Sequence, residues 1–241
     1  MYEKGRYLMS GDKGLVIEFG NEISEETNTK VRNLYLAIQK SKMPGIYEMV
    51  PTYRSLLIQY NPLEIEISKL VEKLTELEKT LDSIDLPKPR IIEIPTIYGG
   101  EFGEDLKFVS EHNGISEDEV IKIHSSVDYR IYMLGFSPGF PYLGGMSEKI
   151  ETPRLKTPRT RIPGGSVGIA GKQTGIYPME SPGGWQLIGR TPIKLYDPKR
   201  QIPIILQAGD YIRFVPINKD EYDNICSLAE KNQYEIKIVH E

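Results

Sequence analysis

Between Gly135 and Pro192 the chain packs 12 of its 22 glycines and 8 of its prolines into 58 residues. Proline removes a backbone donor and glycine weakens any helix, so this stretch predicts loops and short strands. Strand-like runs flank and enter it: IIEIPTIY (91–98), YRIYML (129–134), GWQLIG (184–189), PIKLYD (192–197), PIILQ (203–207) and YIRFVPI (211–217), the last two joined by Ala208-Gly209-Asp210. Many short strands separated by Gly/Pro turns predict a β-barrel. Helical patterns interrupt it. DLKFVSEHNG and SEDEVIKIHS stand on either side of Gly114, with Ser116 and Glu119 spaced as a capping box. Residues 218–232 read as a further helix and YEIKIVH (234–240) as a closing strand.

The first third is patterned differently. RYLMS (6–10) and GLVIEFG (14–20) read as strands around a Gly11-Asp12 turn. Ser24 is a good N-cap for a helix with Val31, Leu34, Tyr35 and Ile38 on one face, stopped by Pro44-Gly45. IYEMV (46–50) and YRSLLIQY (53–60) read as strands and SKLVEKLTELEKTL (68–81) as a helix. The order is ββαββα, a sheet with helices on one face. DSIDLPKPR (82–90) reads as a linker, so the expected domains are 1–84 and 85–241. The expected class is α+β, mainly β: a small α/β sandwich followed by a barrel.

Composition narrows function. A formal net charge of −4 argues against nucleic-acid binding, which needs concentrated Lys and Arg. The single cysteine, Cys226, excludes a disulfide framework and fits a reducing compartment. His112, His124 and His240 lack the spacing of a helical metal site, so no metal is expected. No signal-peptide core or run of membrane-span length is present, which predicts a cytoplasmic protein off the membrane.

Three motifs imitate known chemistry. GSVGIAGKQTGIYP (165–178) resembles a phosphate-binding loop, but aligned on Lys172 the first glycine is Ser166 and the hydroxyl position is Gln173. Hairpin glycines are the better reading. GFSPG (135–139) spells a nucleophile elbow, yet the residue after Ser137 is Pro138, which has no N–H for an oxyanion hole. The helix pair resembles a DNA-binding motif, but its second helix opens with Glu117, Asp118 and Glu119, which repel phosphate. His124, at the end of that helix, is a candidate general base or a helix C-cap.

One segment suggests a site. TPRLKTPRTR (152–161) carries Arg154, Lys156, Arg159 and Arg161, spaced by prolines that keep the chain extended. It reads either as a solvated loop or as an anion site for carboxylate or phosphate. Phe136, Phe140, Tyr142, Tyr177 and Trp185 supply an apolar wall, and Ser166, Gln173, Ser181, Gln186 and Arg190 supply polar groups. The same aromatics also suit a protein interface.

YGGEFGEDL (98–106), EHNGIS (111–116), YMLGFSPGFPYLGGM (132–146), TPRTRIPGGSVGIAGKQTGIYP (157–178) and SPGGWQLIGRTP (181–192) follow one another with short spacers. Together with GDKGLVIEFGNEIS (11–24) and VPTYRSLLIQYNP (50–62), they resemble the 5-oxoprolinase B-subunit family, also described as the kinase-inhibitor or allophanate-hydrolase-subunit-1 family. The resemblance covers nearly the whole chain. Gly164-Gly165 departs from the Ala-Gly of many members. The resemblance implies a cyclophilin-like barrel behind the small α/β domain. It also implies a paralogous partner of carboxyltransferase type, the 5-oxoprolinase C-subunit, and a separate A-subunit. The implied activity of the complex is ATP-driven hydrolysis of 5-oxoproline to glutamate. ATP is the implied cosubstrate, with no site apparent in this chain. Another member type inhibits autophosphorylation of a sensor histidine kinase, which is the alternative function and partner. On the enzymatic reading His124, Arg159 and Gln173 are the expected catalytic residues. Tyr142, Arg161, Ser166, Tyr177, Trp185, Gln186 and Arg190 are the expected substrate contacts.

Overall fold

The computed structural model describes residues 1–81, 87–231 and 233–240. The chain divides into two units, Met1–Lys88 and Pro89–Glu241. The expected 84/85 boundary and most of the expected linker lie outside the described residues.

In the first unit, β1 (Arg6–Ser10) and β2 (Gly14–Glu18) turn at Gly11, whose φ of 68° suits only a residue without Cβ strain. Helix α1 (Glu25–Ser41) starts at Ser24, whose side chain accepts from the Thr27 N–H, and ends at a left-handed Lys42. Then come β3 (Ile46–Pro51), β4 (Ser55–Tyr60) and α2 (Ile67–Lys79). The antiparallel sheet order is β1-β2-β4-β3. Strand alternation sends Leu15, Ile17, Leu56 and Ile58 to one face, where Val31, Leu34 and Ile38 of α1 and Leu70 and Leu74 of α2 cover them. The expected ββαββα order is the observed one.

The second unit opens with β5 (Arg90–Tyr98), a 3-10 turn at Gly100–Phe102, then α3 (Leu106–Asn113) and α4 (Glu117–Ser125). There follow β6 (Asp128–Leu134), β7 (Pro141–Gly144), β8 (Arg159–Ile162), β9 (Ser166–Ala170), β10 (Gln173–Ile176), β11 (Ser181–Gly183), β12 (Gln186–Arg190), β13 (Tyr211–Pro216), α5 (Lys219–Glu230) and β14 (Ile238–His240). The main sheet runs β10-β9-β12-β5-β13-β6-β7, with β14 also on β5 and β8-β11 forming a separate ribbon. Among the described residues only β5 and β13 pair in parallel. End strands β7 and β10 approach each other, so the sheet nearly closes into a barrel. Its interior holds Ile92, Ile94, Val167, Ile169, Ile176, Ile188, Ile212 and Phe214. Helices α3 and α4 plug it with Leu106, Val109 and Val120. The class is α+β, mainly β, with a cyclophilin-like barrel.

Several expectations give way. PIKLYD and PIILQ are not strands and share one bridge, Tyr196–Ile204. Pro192, Pro198 and Pro203 cannot donate to a ladder, and the Asp197 side chain accepts from the Lys199 N–H, turning the chain instead. Strand β14 holds only the last part of YEIKIVH. At α4, Ser116 caps the Glu119 N–H at 3.2 Å, while the Glu119 carboxylate faces Lys122. The reciprocal capping box occurs instead at α5, between Asn218 and Glu221.

Candidate functional site

The aromatics spread over 50 residues of sequence meet around one ring. Phe140 packs edge-on against Phe136 and Tyr142 at 5.4 Å and against Tyr177 and Trp185 at 5.7 Å. These rings, with Ile162, Ala170 and Leu187, form a cluster separate from the barrel core. Strand period explains its position. Val167 and Ile169 point into the barrel, so Ser166, Gly168 and Ala170 point to the other face. Two glycines make room for the indole. A Cβ on Gly175 would stand 3.1 Å from the Trp185 ring, and one on Gly168 3.2 Å from the Trp185 Cβ. A Cβ on Gly183 would overlap the Tyr177 hydroxyl. Phe136 ends the cluster at the surface, 68% exposed, with a left-handed φ of 61° that a phenylalanine rarely adopts.

The basic segment borders this face. Arg159 is committed. Its Nη2 donates to both Asp105 carboxylate oxygens at 2.8 and 2.9 Å, Nε lies 3.0 Å from Glu104, and Nη1 donates to the Trp185 carbonyl. Asp105 also accepts the Leu187 N–H at 2.6 Å, while its own N–H donates to the Leu187 carbonyl. Arg159 therefore clamps the YGGEFGEDL loop onto β12 and is no free anion ligand. Gly103 allows that approach, since any Cβ there would strike the Ile188 backbone. Arg161 is exposed and paired with Glu180 at 2.7 Å. Burial raises the Tyr177 pKa, opposed by its bond to the Trp185 backbone and by the charges of Arg154 and Arg159.

The polar candidates fall at two ends of β9. Gln173 opposes Ala170 beside the aromatic cluster. Ser166 opposes Arg190 four residues away, roughly 13 Å along the strand. There the Ser166 hydroxyl is fully buried without a partner, and the Arg190 Nε is buried and unpaired as well. The Arg190 guanidinium stands 5.6 Å from the Phe102 ring. Gln186 donates to the Pro153 carbonyl at 2.9 Å and leaves its Oε1 buried and unpartnered. The Ser181 hydroxyl is unpartnered too. So Tyr142, Tyr177, Trp185 and Gln173 converge, whereas Ser166 and Arg190 form a second locus.

His124 is placed elsewhere. It is fully buried in the barrel, 4.4 Å from the Phe214 ring. The Thr174 hydroxyl donates to the Gly168 carbonyl, so it accepts from His124 Nε2–H, and Nδ1 accepts from the Tyr98 hydroxyl, both at 2.8 Å. Burial lowers its pKa to about 3. A sealed, neutral, fully bonded imidazole cannot reach substrate, which corrects the expectation of a general base. The helix-cap reading is corrected too, because the ring bonds side chains and Ser126 is the cap.

The motif imitations resolve structurally. GSVGIAGKQTGIYP forms the β9-β10 hairpin, turning at Gly171 with φ 58°, and Lys172 pairs with Glu148 at 2.8 Å. The Ser137 hydroxyl is buried and no base bonds it.

A family model for the carboxyltransferase domain, subdomains C and D, matches residues 5–206. The chain is 44% identical over 226 residues to the 5-oxoprolinase B-subunit of Bacillus subtilis, covering 88% of this chain and 92% of that protein. It is 41% identical to the protein of the same name from Escherichia coli O157:H7, covering 89% and 97%. The chain belongs to the 5-oxoprolinase B-subunit family. This family's chain is itself of carboxyltransferase type, a likeness the motifs suggest only for its partner. Among solved structures, TTHA0988 superposes with a TM-score of 0.78 at 38% identity, covering 86% of this chain and 40% of that longer one. Sequence reasoning missed Asp105 and Glu104, within the motif YGGEFGEDL, and Glu180, which falls between two motifs; these carboxylates consume Arg159 and Arg161. The acidic end of EFGED was the available signal. Among the described residues no helix is long and apolar enough to cross a membrane.

Proposed function

We propose that the chain is the B component of an ATP-dependent 5-oxoprolinase, acting with the A and C components to convert 5-oxo-L-proline to L-glutamate. The observation that carries this is the 44% identity, over nearly the full length of both chains, to a protein named as the 5-oxoprolinase B-subunit. The match of this chain to under half of a longer polypeptide fits a module that works beside another.

In this reading the half-buried Tyr142 and Gln173 are the groups that can meet substrate, while Tyr177 and Trp185, 2% and 8% exposed, are buried behind them and are no direct contacts, which corrects that expectation. Arg159 acts as a positioning residue that holds the Trp185 carbonyl and the Asp105 loop in place. The buried, unpaired groups of Ser166 and Arg190 form a second polar locus, and Arg161 stays in its surface pair. Opening an unstrained amide at neutral pH is hard, and ATP supplies activation of the lactam oxygen. The glycine hairpin does not fit a triphosphate: it lacks the metal-binding hydroxyl, no helix follows it, and its lysine is paired.

The test is reconstitution. The chain is expressed with its A and C neighbours, and 5-oxoproline-dependent ADP and glutamate release is measured with each component omitted in turn. Loss of activity without this chain is expected. Full activity without it would refute the proposal and turn attention to the exposed Phe136 as a kinase-docking group.

A further inference from the structure

Three cations line one cavity of a chain whose net charge is −4. The cavity, about 480 Å³, lies in the second unit, between the loop 193–205, the end of α5 and the segment that leads into β14. Lys194, Lys199 and Arg200 stand on its walls with a single carboxylate, Asp197. Among the described residues no carboxylate pairs with any of the three cations. Glu93, whose N–H ties the β14 segment to β5, is itself taken by Lys237 at 2.8 Å and Arg213 at 3.9 Å.

The loop that carries the cations is fixed by its own hydrogen bonds. Tyr196 bridges Ile204, the Asp197 N–H donates to the Pro203 carbonyl at 2.9 Å, and the Arg200 N–H donates to the Asp197 carbonyl at 3.2 Å. The Asp197 carboxylate accepts the Lys199 N–H at 2.9 Å. Arg200 is half-buried, and its Nη1 donates to the Lys194 carbonyl at 2.8 Å, which ties the guanidinium across the loop. Its other donors meet no acceptor among the described residues. On the opposite wall the Gln233 N–H closes the end of α5 on the Leu228 carbonyl at 2.8 Å, and the Lys237 carbonyl accepts from the Glu93 N–H at 3.0 Å. Between these ties Tyr234 and Ile236, both half-buried, join Ile205 as an apolar side.

A preformed cavity of this size, apolar on one side with a few convergent polar groups on the other, suits a small molecule. Three cations against one carboxylate leave more positive charge than a single carboxylate ligand neutralises, and match a phosphate ester of charge near −2. Arginine offers phosphate a planar fork and lysine a point charge. We propose that this cavity binds an organic phosphate of nucleotide size, its phosphate held by Lys194, Lys199 and Arg200 and its body laid against Tyr234 and Ile236. None of these residues belongs to the candidate site above, so the binding is independent of the oxoprolinase reading.

The experiment is calorimetric titration of the full chain with ADP at low salt. Saturable binding at one site is expected, weakened as salt is raised. Adenosine, which lacks phosphate, does not compete, and inorganic phosphate, which lacks an apolar body, competes more weakly than ADP. Arg200→Ala weakens ADP binding roughly ten- to a hundredfold, the worth of a charge-assisted hydrogen bond. That change also cuts the tie to the Lys194 carbonyl, so Lys199→Ala, whose side chain holds nothing in the fold, is the companion variant, with a loss of a few-fold. Lys107→Ala, the same change of charge on α3, leaves the affinity unchanged. Absence of saturable ADP binding overturns the inference, as does adenosine binding as well as ADP, or an affinity that neither Arg200→Ala nor Lys199→Ala alters.

Discussion

Acid should loosen the barrel through His124. The imidazole is fully buried, and burial holds its pKa near 3, against 6.5 for the exposed group. The folded state keeps it neutral while the unfolded chain binds a proton below pH 6.5, so the unfolded state carries more protons. Stability from this group is therefore complete above pH 6.5 and falls with pH towards 3. The slope is about 1.4 kcal/mol per pH unit, so moving from pH 7 to pH 5 costs about 2 kcal/mol. Urea unfolding followed by tryptophan fluorescence isolates the effect, because Trp185 is the single tryptophan and lies in the same unit as His124. Carboxylates titrate over part of the same range, so the comparison is with His124→Asn, which cannot titrate. The variant should be less stable at pH 7, since the Tyr98–His124–Thr174 relay is cut. Its stability should nevertheless fall less steeply between pH 7 and 5 by the stated amount. Equal slopes in the two proteins would refute the assignment.

Two structural predictions complement this. Asp105→Ala removes the bidentate acceptor of Arg159 and the acceptor of the Leu187 N–H, both poorly exposed. A loss of about 2 to 3 kcal/mol is expected in the same urea assay, and a loss under about 0.5 kcal/mol would show that the clamp is idle. Gly175→Ala drives a Cβ towards the Trp185 ring, costing about 1 to 3 kcal/mol and shifting the emission maximum. An unchanged spectrum would contradict the described packing.

How much can be read in advance differs from element to element. The ββαββα unit is legible because strand and helix periods are local, as is the cap at Ser24; the capping box at Asn218 is not read from the sequence, which places one at Ser116. The proline-bounded runs at 192–197 and 203–207 mislead, because their apolar alternation is outweighed by missing N–H donors. The aromatic set does share one place, since Gly/Pro-rich loops between its members allow convergence. His124 misleads because burial is a property of the whole barrel and not of the helix that carries it.

What the sequence determined by itself is the alternation of strands and turns, the absence of a working phosphate loop at Lys172 and of an elbow at Ser137, and the family motifs. Each depends on residues a few positions apart. Tertiary structure alone decided which charges are spent. Arg159 finds Asp105 at a separation of 54 residues, and Arg161 finds Glu180 at 19. Ion pairing is decided by distances in space, where a few ångströms of folded geometry turn one arginine of the segment into a brace and the other into half of a surface pair.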